Sequence, residues 1–185
     1  MSARQVDILV VCTGNICRSP MAEGFLREAL VRRLGDDAPT VASAGTAGWD
    51  GSGATDEAIR AASELGVDIR SHLARHLDDR LLDDADLIVC MTAEQRTAIA
   101  RGRPDVAART FTISELVELL ETEPIDGTIE ARVAAAATAR NGSSPAVGGD
   151  VRDPLGDPLD GYRRVAAELE DLSERLATAL VEAPA

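Results

Sequence analysis

Between Val6–Val11 and the pair Ser19-Pro20 lie only the seven residues Cys12–Arg18. The first run is short, apolar and rich in β-branched residues, so it reads as a buried parallel strand. The second reads as a helix start, with Ser19 at the N-cap and Pro20 at the first helical position. Ala22, Phe25, Leu26, Ala29 and Leu30 then fall on one helical face. Gly35, with Asp36 and Asp37, closes that helix. A buried strand turned so tightly into a helix directs the whole chain toward alternating strand and helix.

The remaining punctuation agrees. Thr40 to Ala44 is a second strand ending on Gly45, followed by a small, Gly-rich loop over 46–54. Thr55 is placed to cap a helix running to about Gly66. Leu87 to Met91 is a third strand, and Thr92-Ala93-Glu94-Gln95 has the pattern of a capping box. Arg109 to Ile113 is a fourth strand, with a second such box at Thr112 to Glu115. Residues 124–149 break the rhythm. Ile129 to Ala139 reads there as a short solvated helix, and Asn141 onward as a flexible loop, together an insertion in a single domain spanning 1–185. Tyr162, Val165, Leu169, Leu172, Leu176 and Leu180 recur at helical spacing and predict a long closing helix. The expected architecture is α/β, with a parallel sheet and right-handed crossovers. Such sheets bind ligands at the carboxyl ends of their strands, where the Cys12 loop sits.

Composition excludes several functions. The net charge of −13 opposes binding to nucleic acid or anionic membranes. All 19 basic residues are Arg, which fits a GC-rich bacterial genome. Three cysteines, Cys12, Cys17 and Cys90, make no disulfide scaffold, and no Cys/His cluster has metal-ligand spacing. No stretch approaches a membrane span or a signal peptide. A cytoplasmic protein without metal or cofactor is expected. An anionic substrate must be captured by a local electropositive pocket.

The segment Cys12-Thr13-Gly14-Asn15-Ile16-Cys17-Arg18-Ser19 can supply that pocket. A loop curled between strand and helix turns successive backbone N–H groups inward as an anion nest. The helix adds its positive dipole end. Gly14 is expected to ease the turn, and Asn15 tolerates a left-handed conformation. Arg18 has the planar fork to grip two oxygens of a tetrahedral anion. Helix N-termini and cationic neighbours favour the thiolate, so Cys12 is expected to be an ionised nucleophile facing a phosphoryl group. Taken alone, a Cys after a strand is more often a small buried hydrophobe; the combination with Arg18 and the helix cap is what carries the signal.

The stretch VCTGNICRSPMAE closely resembles the phosphate loop of low-molecular-weight protein-tyrosine phosphatases. Ser43-Ala44-Gly45-Thr46, Ser71-His72-Leu73-Ala74-Arg75, Asp86 to Met91 and Val151-Arg152-Asp153-Pro154 resemble further family segments in the same order. Tyr162 falls where the family has an aromatic starting its last helix. The resemblance implies a flavodoxin-like three-layer fold with a four-stranded sheet in the order 2-1-3-4. It implies a phosphocysteine intermediate on Cys12, with Thr13, Gly14, Asn15, Ile16, Cys17 and Arg18 around the phosphate. Asn15, Ser19, Ser43 and His72 match a loop-supporting network. Trp49 is implied on the wall of the substrate cleft, with anchoring of its own loop as an equal alternative. A reversible Cys12–Cys17 disulfide is a further implication; Cys90 reads as core. A phosphotyrosine protein is the implied substrate, by analogy a bacterial tyrosine kinase.

The leaving group needs a proton, which a positioned carboxylic acid supplies. Asp153-Pro154 and Asp157-Pro158 both hold an Asp extended. Asp153 fits the resemblance, and Asp157 is the fallback. Leu155 and Gly156 stand where the family often carries a Tyr pair, and Thr92 replaces a usual acidic residue. The alternative activity is arsenate reduction with an external thiol donor, since a self-contained relay needs more cysteines than these. A non-catalytic binding module ranks last, because nucleophile, clamp and acid are all present.

Overall fold

The computed structural model describes residues 7–122, 126–142 and 149–182. Strand β1 (Asp7–Cys12) is its axis. Ile8, Val10 and Cys12 face one core, whereas Leu9 and Val11 face a second, smaller one. That alternation is what a strand buried on both sides requires. Strands β2 (Thr40–Gly45), β3 (Leu87–Cys90) and β4 (Thr110–Thr112) complete a parallel sheet in the order β2-β1-β3-β4. Sheet order and class are those expected from sequence. The fourth strand is shorter than the predicted Arg109–Ile113. Arg109 ends a preceding 3₁₀ turn, and Ile113 opens the next helix.

Helix α1 (Arg18–Leu34) packs on the larger core, with α2 (Asp56–Glu64) near it. Helices α3 (Asp79–Asp84) and α4 (Ala93–Gly102) cover the smaller one. Helix α5 (Ile113–Thr122) follows β4, and α6 (Ile129–Gly142) follows α5. The long α7 (Leu159–Val181) buries Tyr162, Val165, Leu169, Leu172, Leu176 and Leu180 against α1, α2 and α5. Each such side chain contributes about 1.5–3 kcal/mol when fully buried, so this stripe closes the larger core. Both capping boxes form. Thr92 and Gln95 satisfy each other's backbone N–H groups, and Thr112 and Glu115 do the same at 3.2 Å each way.

Three expectations are corrected. Ser19 is not the N-cap of α1. Cys17 holds that position, and the Ser19 hydroxyl is drawn into the loop instead. Helix α6 is not merely solvated: Val133, Ala136 and even Arg132 are buried. Arg132 donates to Ala179 O near the end of α7, and Arg140 donates to Thr110 O and Ala107 O while lying 4.5 Å from the Phe111 ring centroid. Arginine stems bury well when their heads find carbonyls. The flexible loop expected after it falls largely on 143–148, outside the described residues. Helix α3 was not anticipated. Its sequence DRLLDD has only Leu82 buried, and Asp78 caps it by accepting the Leu81 N–H.

Candidate active site

Cys12 is the last residue of β1, in register with Gly45 of β2. The chain beyond Gly45 runs along the loop: Thr46, Ala47 and Trp49 donate their N–H groups to Cys12 O, Thr13 O and Gly14 O at 2.9–3.2 Å. This close approach requires glycine. A Cβ on Gly45 would sit 2.5 Å from Thr13 O. Gly14, by contrast, is not in a left-handed conformation, and a Cβ there would find ordinary contacts. The reason given for glycine at that position does not hold. The left-handed residue is Asn15, at φ 57°, as its side chain permits.

Two groups meet the sulfur of Cys12: the Asn15 N–H donates at 3.2 Å, and the Ser19 hydroxyl lies at 2.9 Å. Proton accounting orders the bonds around them. Arg75 N–H donates to Asn15 Oδ1 at 2.9 Å, which turns Asn15 Nδ2 toward Ser19 and Ser43, at 2.9 and 2.8 Å. Ser43 then donates to Glu23 Oε2 at 2.6 Å. Ser19 accepts from Asn15, and its own proton is free to be given to the sulfur when Cys12 is a thiolate. His72 Nε2 lies 2.7 Å from Asn15 O, so it carries the proton and donates. The predicted group Asn15, Ser19, Ser43 and His72 is thus one connected network. Glu23, Arg75 and Gln95, which donates to Thr13 Oγ1 at 3.2 Å, are its unforeseen members.

Arg18 is buried at the first turn of α1. One terminal nitrogen donates to Val151 O at 3.2 Å, and the other meets Asp153 Oδ2 at 2.6 Å. Its Nε is buried and has no hydrogen-bond partner among the described residues. A buried donor left unpaired is costly, so the guanidinium edge is suited to an anion. Asp153 is 45% exposed, and its other oxygen accepts the Leu155 N–H at 3.2 Å. Asp157, the fallback, is instead gripped by both terminal nitrogens of Arg152 at 2.5 and 3.1 Å. Of the two carboxylates, Asp153 is therefore the one beside the loop.

Trp49 is 56% exposed beside Gly14, from which a Cβ would reach its indole nitrogen at 3.9 Å. Its backbone anchors the loop through the bond to Gly14 O, while its ring stays open. Ile16 is buried below. Cys17 turns its sulfur toward Thr55 Oγ1 and the Tyr162 hydroxyl, at 3.6 and 3.7 Å. Burial pushes its thiol up despite those two bonds. Burial likewise pushes the Tyr162 phenol up to about 12. Cys90 is a fully buried core residue whose thiol is pushed up by desolvation.

A family model of low molecular weight phosphotyrosine protein phosphatase matches residues 7–129. The chain belongs to that family. It is 32% identical over 175 residues to a protein-arginine-phosphatase of Bacillus subtilis (strain 168), covering 95% of this chain and 97% of the relative. It is 39% identical over 105 residues to the low molecular weight protein-tyrosine-phosphatase Ptp of Acinetobacter johnsonii, covering 57% of this chain and 70% of that one. The solved low molecular weight protein tyrosine phosphatase from T. tengcongensis superposes with a TM-score of 0.71 at 33% identity, covering 93% of this chain and 97% of that structure. The protein is a phosphatase, and arsenate reduction is not favoured. No helix among the described residues is long and apolar enough to cross a membrane.

Proposed function

We propose that this phosphatase hydrolyses phosphotyrosine in proteins through a phosphocysteine on Cys12, with Arg18 as phosphate clamp and Asp153 as general acid. The observation that carries the reading is the triangle of Cys12, Arg18 and Asp153. The Cys12 sulfur has the Asn15 N–H and the Ser19 hydroxyl within hydrogen-bond distance, and the adjacent buried guanidinium holds the Asp153 carboxylate while its Nε has no partner among the described residues.

The chemistry runs in two balanced steps. The Cys12 thiolate attacks phosphorus, the bond from phosphorus to the tyrosyl oxygen breaks, and Asp153 gives its proton to the departing phenoxide. Asp153, now a carboxylate, takes a proton from water as the water oxygen attacks phosphorus. The phosphorus–sulfur bond breaks and phosphate leaves with the thiolate restored. Arg18 and the loop N–H groups of Thr13 to Arg18 hold the equatorial oxygens, where charge develops in both transition states. The incoming dianion competes with Asp153 for Arg18, which moves the carboxyl toward the leaving oxygen. Trp49, 56% exposed beside Gly14, offers an apolar face to an aryl ring.

A second reading is favoured by one observation. The protein-arginine-phosphatase of Bacillus subtilis matches 95% of this chain at 32% identity, as fully as the tyrosine phosphatase structure from T. tengcongensis, which covers 93% at 33%. Phosphoarginine would use the same steps with a guanidine as leaving group. Purified protein is assayed on matched phosphotyrosine and phosphoarginine peptides, beside Cys12→Ser. Preference for phosphotyrosine, abolished in Cys12→Ser, is expected. Preference for phosphoarginine would transfer the reading to the second substrate. Full activity in Cys12→Ser would end both. A bacterial tyrosine kinase is the partner that fits the first outcome.

A further inference from the structure

Asp150 lies three residues before Asp153 and is exposed. Its Oδ1 accepts the N–H of Ala93, the first residue of α4, at 2.8 Å. Helix α4 already has a complete capping box of its own, made by Thr92 and Gln95. That box serves the N–H groups of Thr92 and Gln95 and leaves the Ala93 N–H over. The Asp150 bond takes that donor, and so joins two elements where a cap would only complete one.

What it joins are the two halves of the active site. Val151, the next residue, donates its N–H to Met91 O at 2.9 Å and receives Arg18 on its carbonyl at 3.2 Å. From the same first turn of α4, Gln95 reaches Thr13 in the nucleophile loop at 3.2 Å. One helix end therefore holds the Cys12 loop through a side chain and the Asp153 segment through a backbone N–H. Asp150 thus brings a carboxylate to that helix end from the other loop.

We propose that Asp150 is a positioning residue for Asp153, clipping the acid-bearing segment to α4 so that the backbone from which the carboxyl swings stays in place beside Arg18. This rests on reading Asp153 as the general acid. Proton transfer is steep in distance, and a misplacement of about 1 Å can cost on the order of 100-fold. Losing one of several anchors is expected to cost less, roughly tenfold.

The test compares Asp150→Ala, Asp150→Asn, Thr92→Ala and Asp153→Asn in kcat/KM on phenyl phosphate and para-nitrophenyl phosphate. Asp150→Ala is expected to lose roughly tenfold on phenyl phosphate and little on the activated ester, whose leaving group needs no proton. Asp150→Asn keeps an oxygen that accepts the same N–H and is expected to restore the wild-type ratio. Thr92→Ala removes the helix's own cap and is expected to lower Tm while leaving the ratio of the two substrates unchanged. Should Asp153→Asn discriminate between the esters while Asp150→Ala does not, this inference falls and the acid assignment stands. Equal impairment by Asp150→Ala and Asp150→Asn would overturn it too. Equal losses on both esters in Asp153→Asn would remove the acid assignment and, with it, the clip.

Discussion

The nucleophile loop and the acid segment meet at Arg18 but are held in opposite ways. Asn15, Ile16, Cys17, Arg18 and Ser19 are all buried, and Asn15 alone bonds through its backbone and side chain to Cys12, Ser19, Ser43, His72 and Arg75. Arg152, Asp153, Leu155 and Gly156 are exposed, and beyond the bonds that pin Asp150 and Val151 to Ala93 and Met91 their segment is tied by charged contacts, Arg18–Asp153 and Arg152–Asp157. Buried neutral networks hold geometry regardless of salt, whereas exposed charge pairs are weak and screened. The contrast suits the division of labour. On the proposed mechanism, a nucleophile and its nest are preorganised, while the acid swings from the clamp to the leaving oxygen in each turnover.

The largest effects are expected in the buried loop. Cys12→Ser should lower kcat/KM on para-nitrophenyl phosphate by on the order of 10⁴-fold or more, as removal of a nucleophile does. Arg18→Lys keeps the charge and loses the fork, and should cost roughly 10²–10³-fold. Steady-state kinetics with circular dichroism to confirm folding checks both. If Arg18→Lys retained near-full activity, the clamp assignment would be wrong.

Asn15→Ala comes next and tests whether the network is structural as well as catalytic. It strands the Arg75 N–H, Ser19 and Ser43, and it places a Cβ without a compensating amide at φ 57°. Orphaned buried partners cost about 1–3 kcal/mol, so Tm should fall by roughly 2–12 °C in a domain of this size. Asn15→Gly relieves the backbone while still removing the amide. A Tm equal to that of Asn15→Ala would show that the side-chain bonds, and not the dihedral, dominate.

These two regions were unequally legible in sequence. The strand–loop–helix unit, both capping boxes and the α7 stripe could be read because each is a pattern within a few residues of itself. Glu23 could not. Its only sequence cue is Arg27 at i+4, which reads as a solvated surface pair, and its contact with Ser43 exists only once α1 lies against β2. Arg75 and Asp150 act on residues 60 and 57 positions away, across the sheet's end. The docking of α6 was hidden for another reason. Its anchors are arginines in an Ala-rich run, where a charge normally signals solvent.

Arg152→Ala in the acid segment should be milder. The Arg152 side chain is 60% exposed, so stability should change by no more than about 0.5 kcal/mol. Freed from its partner, Asp157 no longer braces the turn after Asp153, and kcat/KM on phenyl phosphate should drop a few-fold. In the wild type, raising salt from about 0.05 to 0.5 M should move this ratio in the same direction as the substitution, because screening weakens the same pair. A Tm loss as large as that of Asn15→Ala would erase the distinction between the two regions.

The smallest expected effect lies inside the buried loop, between its two cysteines. Burial raises the Cys17 thiol pKa, and the Thr55 and Tyr162 hydroxyls lower it in part, Thr55 more than Tyr162. A raised pKa means less thiolate at any pH below it, so in a Cys12→Ser background iodoacetamide at pH 8 should modify Cys17 more slowly than a free cysteine, whose pKa is about 8.5. The rate should keep rising with pH after the free thiol has levelled off. Thr55→Ala removes the stronger of the two donors, so it should slow Cys17 alkylation further, and Tyr162→Phe should slow it less. Peptide mass mapping over a pH series measures all three rates. A Cys17 as reactive as free cysteine at pH 8 would mean that this end of the loop opens to solvent, and the loop could then no longer stand as the rigid half of the site.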